Sequence, residues 1–103
     1  SNTLEQMKPT SFFINTSRGG LVNENDLADA LKSNAIAGAA LDVLSTEPPE
    51  KNHPLLCDTI PNLLITPHIA WTSLEARKRL LEGVIGNIQS FLSGRPSNEV
   101  AYA

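Results

Sequence analysis

A chain of 103 residues, 41% apolar and 18% charged, is a soluble-type globular domain or a piece of one, with room for a modest core. Its formal net charge of −3, with eight scattered Lys and Arg residues, speaks against a basic surface for nucleic acid, and no run of 18 apolar residues marks a membrane span. The single Cys57 cannot form an internal disulfide and fits a reducing compartment. Ser1 to Met7 has neither an apolar signal core nor an initiator Met at position 1, so the chain reads as an excised piece of a cytoplasmic protein.

Residues 2–7 suit a short helix that ends at Lys8, because Pro9 disfavours helical geometry before it. Ser11 to Asn15 carries Phe12, Phe13 and Ile14 in a continuous apolar run, the pattern of a strand buried on both faces. Gly19 and Gly20 break the run, permitting positive φ or a close backbone approach. A helix follows, with Asn23 as N-cap and Glu24 and Asp26 in the first turn. Leu27, Ala30 and Leu31 form its apolar face, and Asn34 terminates it.

Ile36 to Leu44 reads as a second buried strand, closed by Pro48-Pro49 into a polar loop reaching Pro54. Leu55 to Cys57 suits a helical turn, and Leu63 to Thr66 a third strand. Thr72 and Glu75 match a capping box opening a long helix over about 73–93, with an apolar stripe through Leu81, Val84, Ile85, Ile88 and Leu92. The order strand, helix, strand, loop, strand, helix predicts an α/β fold with a parallel sheet.

In such a sheet the strand ends converge on one edge, where ligands bind. Arg18, Glu47 and His68 each follow one of the three apolar runs. An arginine fork suits a planar carboxylate, histidine suits proton transfer near neutral pH, and a carboxylate bonded to one imidazole nitrogen fixes the ring's tautomer. Such a histidine can protonate a carbonyl oxygen as hydride arrives. Asp42 sits inside an apolar run, where a carboxylate needs hydrogen bonds. Either it caps a helix or it accepts from a ligand such as a carboxamide. His53, in the polar loop beside Asn52 and Pro54, is given no role, and no metal site is expected.

Five blocks carry a resemblance: Met7-Lys8-Pro9, Ile14-Asn15-Thr16-Ser17-Arg18-Gly19-Gly20-Leu21-Val22, Ala39-Ala40-Leu41-Asp42-Val43, Thr46-Glu47-Pro48 and Thr66-Pro67-His68-Ile69-Ala70. In order and spacing they resemble the D-isomer-specific 2-hydroxyacid dehydrogenases, from about Leu4 to Arg95. The resemblance implies a Rossmann-like, three-layer parallel sheet in which residues 1–103 form the C-terminal part of the NAD(P)-binding domain. The final helix would lead back to a substrate domain that lies outside the chain. It implies that Arg18 binds the substrate carboxylate and carbonyl, His68 is the acid/base and Glu47 orients His68. Thr16, Ser17, Arg18, Asp42, His68, Ile69, Ala70 and Trp71 would line the nicotinamide end of NAD or NADP, NAD being favoured, with Asp42 on the carboxamide.

His-Ile-Ala-Trp resembles the glycerate dehydrogenase (hydroxypyruvate reductase) branch, which implies hydroxypyruvate/D-glycerate or glyoxylate as substrate. A homodimer is implied too, with no nucleic-acid or membrane partner. No Gly-x-Gly-x-x-Gly segment occurs, so the pyrophosphate loop is expected upstream and the 103 residues alone are expected to be inactive. The other function open to this superfamily is an NAD(H)-sensing corepressor that retains Arg, Glu and His.

Overall fold

A computed structural model describes residues 2–56 and 60–100, so Cys57 lies outside the described residues. The chain divides into two compact units, Ser1–Ile69 and Ala70–Ala103. The first contains α1 (Asn2–Glu5), β1 (Phe12–Asn15), a 3₁₀ turn (Gly19–Leu21), α2 (Glu24–Lys32), β2 (Gly38–Leu41) and β3 (Leu63–Ile65). The second contains α3 (Leu74–Leu92). None of the described helices is long and apolar enough to cross a membrane.

The expected parallel sheet forms, in the order β1-β2-β3. Phe12 stands opposite Gly38, and Leu41 lies between Asn15 and Ile65. The ladder continues one step past the strands. Asp42 N–H donates to the Asn15 carbonyl and Thr66 N–H to the Leu41 carbonyl, each at 2.9 Å. Asp42 and Thr66 therefore stand one step beyond the Asn15–Leu41–Ile65 row at the C-terminal edge.

Local chemistry sets the limits of α2. Asn23 Oδ1 accepts from the backbone N–H groups of Asn25 and Asp26, satisfying two donors that the first turn leaves unpaired. At the other end Asn34 takes φ 56°, a left-handed conformation that asparagine tolerates. Asn34 N–H then reaches the Leu31 carbonyl and Ala35 N–H the Ala30 carbonyl, closing a Schellman motif. The face between these caps is buried: Leu27, Ala28, Ala30 and Leu31 join Leu4, Ile36 and Leu41 in the core.

The reading of β1 as buried on both faces is wrong. Phe13 and Asn15 turn inward, whereas Phe12 and Ile14 are 68% and 69% exposed. A strand's side chains alternate between faces, and the core cluster gathers on only one face of this sheet. The capping box is also displaced: the oxygen that caps α3 is Ser73 Oγ, which accepts from Ala76 N–H at 3.1 Å. Gly94, at φ 71°, ends α3 in a second Schellman motif. No α3 residue is buried.

Candidate active site

Because all three strands run parallel, the segments bearing Arg18, Glu47 and His68 leave the same edge of the sheet. Asn15 builds the first segment. Its side chain, 5% exposed, accepts from Ser17 N–H at 3.0 Å and donates to the Arg18 carbonyl at 2.8 Å, folding the chain into a turn. Thr16, Ser17 and Arg18 are exposed in that turn. The Arg18 guanidinium donates to the Ser17 carbonyl at 2.7 Å.

Gly19 fixes where this turn lies. A Cβ on it would stand 2.0 Å from the Leu44 carbonyl carbon and 2.2 Å from Ser45 N, so only glycine lets the backbone approach so closely. Of the two roles open to the glycine pair, Gly19 serves close approach. Gly20 would meet nothing within 4 Å.

Glu47 is held at both oxygens. Oε1 accepts from Leu44 N–H at 2.9 Å and Oε2 lies 2.7 Å from His68 Nδ1. The Leu44 N–H and then the His68 ring hold its carboxyl below the usual glutamate range, so Glu47 is an acceptor and His68 Nδ1 carries the proton. The Glu47–Pro48 peptide bond is cis.

His68 takes φ 54°, in the left-handed region, where non-glycine residues are uncommon. Its N–H donates to the Thr66 carbonyl at 3.0 Å. Asp42, 4% exposed, secures both sides of this bend: Oδ1 accepts from Thr66 Oγ1 at 2.6 Å and from Ile69 N–H at 2.9 Å. Beside the two roles expected for Asp42, the structure shows a carboxylate that ties the end of β3 to the residue after His68.

Asp42, Glu47 and His68 share one hollow of about 480 Å³, whose other walls include Leu44, Leu56 and Ile65. Arg18 does not line it. Ala70 and Trp71 belong to the second unit, where Trp71 lines a shallow groove with Leu74, Lys78 and Leu81.

His53, given no functional role by the sequence, is a buried, hydrogen-bonded residue. It is 7% exposed, with Nε2 3.0 Å from Glu24 Oε2 and Nδ1 accepting from Leu55 N–H at 3.3 Å. The acceptor role of Nδ1 puts the proton on Nε2, so the ring donates to Glu24. Glu24 also accepts from Ser45 N–H at 2.8 Å and from the Ser45 hydroxyl. Burial pushes the Glu24 carboxyl up, but the Ser45 and His53 bonds together outweigh it and hold it low. A depressed carboxylate contributes stability above its ordinary value near 4.5 and loses it as pH falls through the lower native value. In urea unfolding, the stability gap between wild type and Glu24→Gln is therefore expected to be largest at neutral pH and to shrink below pH 4.5.

The family profile described as D-isomer specific 2-hydroxyacid dehydrogenase, NAD binding domain, matches residues 1–70. A glycerate dehydrogenase of Methylorubrum extorquens is 47% identical over 98 residues, 94% of this chain and 31% of that protein. A hydroxypyruvate reductase of Blautia hydrogenotrophica is 46% identical over 97 residues, 94% of this chain and 30% of that one. Among solved structures, the NADPH-dependent glyoxylate/hydroxypyruvate reductase of Sinorhizobium meliloti superposes with a TM-score of 0.70 at 35% identity, covering 95% of this chain and 31% of its own. The chain thus spans less than a third of the length of each of these three proteins.

Proposed function

Because the chain belongs to the D-isomer-specific 2-hydroxyacid dehydrogenases, through their NAD-binding domain, we propose that the whole protein transfers hydride between NAD(P)H and a small 2-keto acid, hydroxypyruvate or glyoxylate. The observation that carries the reading is the Glu47–His68 pair, with its 2.7 Å bond at the end of β3 beside a largely apolar hollow. That hollow fits the flat nicotinamide end of a dinucleotide, with Asp42 on its wall as an acceptor suited to the carboxamide. The pyrophosphate-gripping glycine loop is not among these 103 residues. When bound, the reduced cofactor supplies the hydride.

The chain's own residues supply the rest. With Glu47 on Nδ1, proton delivery falls to Nε2 of the His68 imidazolium. The carbonyl oxygen takes that proton as its carbon accepts hydride, and the alcohol and neutral imidazole result. In the reverse direction the same nitrogen removes the hydroxyl proton. Arg18, after β1, holds the substrate carboxylate with its fork. Thr16, Ser17 and Ile69 contribute to the nicotinamide surroundings. The homodimer and the cytoplasmic location belong to the same proposal. They are supported by the family resemblance and the lone cysteine.

Full-length protein incubated with NADH or NADPH and hydroxypyruvate or glyoxylate is expected to oxidise the cofactor. Tight cofactor binding with no turnover of either acid would instead support the corepressor function.

A further inference from the structure

Outside the acid/base pair, Glu24, Ser45 and His53 form a second built polar cluster. The His53 and Glu24 side chains are only 7% and 9% exposed. It is not a hydrolase triad, because the carboxylate lies between the serine and the histidine, so that Ser45 Oγ is bonded to Glu24 and not to the imidazole. Its position in the chain points elsewhere. Ser45 and His53 are the two ends of the loop that carries Glu47, and both are fastened to one carboxylate on the first turn of α2. Ser45 also adjoins Leu44, whose N–H holds Glu47 Oε1.

We propose that Glu24 is a positioning residue for the acid/base pair: by gathering Ser45 and His53 it closes the 45–53 loop and aims Glu47 at His68. The inference rests on the dehydrogenase reading for its kinetic consequence but not for its geometric one. One carboxylate accepts three donors from two points of the loop, so losing it frees both ends together. Glu24 also ties that loop to the segment leading from Arg18, beside the Gly19 contact. Both sides of the substrate site thus hang on α2.

The test uses full-length protein with ¹⁵N-labelled histidine, in wild type, Glu24→Gln, Glu47→Gln and the double variant. Glu24→Gln presents an NH₂ group to donors that need an acceptor. It is expected to lower kcat for hydroxypyruvate reduction about 10-fold, the scale of a displacement well under 1 Å, with KM changed less than about 2-fold. The His68 Nδ1–H resonance is expected to move as its bond to Glu47 loosens. In the Glu47→Gln background, the same substitution should cost less than about 2-fold, because a residue acting through Glu47 has nothing left to position.

An undiminished loss in that background, an unchanged kcat, or an unmoved His68 resonance would overturn the inference while leaving the dehydrogenase reading intact. If wild type reduces no 2-keto acid, that reading fails and the His68 resonance alone decides the positioning role. Should Glu24→Gln not fold, His53→Gln, which releases only one end of the loop, carries the same cycle.

Discussion

Replacing His68 in the full-length protein is expected to lower kcat for 2-keto acid reduction by about 10² to 10⁴-fold, the range for a lost general acid. The choice of replacement matters. At φ 54° an alanine adds backbone strain to the loss of the imidazole, whereas asparagine tolerates the left-handed region. His68→Asn therefore isolates the chemistry: its unfolding midpoint should stay near wild type while kcat collapses. Arg18→Ala should differ in kind, raising KM for the acid, because the contact proposed for Arg18 is to a carboxylate present before and after hydride transfer. Equal kcat in His68→Asn and wild type would remove histidine from the reaction.

The second large effect belongs to Gly19→Ala. Its Cβ would overlap backbone atoms of Leu44 and Ser45, which cannot rotate away as a side chain does. Overpacking costs typically 1–3 kcal/mol, and a backbone obstacle puts this one at about 3 kcal/mol. Relief requires the Arg18 turn and the Glu47 loop to part by an ångström or so, a displacement that costs on the order of 10²-fold in rate. Gly20→Ala, one residue on, meets nothing and should change stability by less than about 1 kcal/mol. Denaturant unfolding and steady-state kinetics on the pair separate the close contact from a general intolerance of side chains in this turn. Similar losses from both substitutions would contradict it.

Signals confined to neighbouring residues were legible in the sequence. Asn23 and Asn34 bracket α2 as cap chemistry requires, and the alternation of elements yields the parallel order. The proximity of Glu47 to His68 follows from that order, since parallel strands deliver their C-terminal segments to one edge. Burial of β1 did not follow. A run of Phe12, Phe13 and Ile14 looks the same whether one face or both are covered. The Asn15 turn has a local signal, an asparagine closing an apolar run before Ser17. Glu24 and His53 had none: they lie 29 positions apart, and each has an ordinary place as a first-turn acid and a loop histidine. Their meeting depends on how the 45–53 loop closes, which no local pattern encodes.

The Glu47–His68 edge of this sheet is proposed to serve hydride transfer to the carbon of a 2-keto acid. The most direct measurement supplies full-length protein with nicotinamide cofactor deuterated on the transferring face of C4, together with hydroxypyruvate, and locates the label in the product. Deuterium at C2 of D-glycerate, formed at a rate that falls with His68→Asn, is the predicted result. Product without deuterium at C2, or label transfer indifferent to His68, would contradict it.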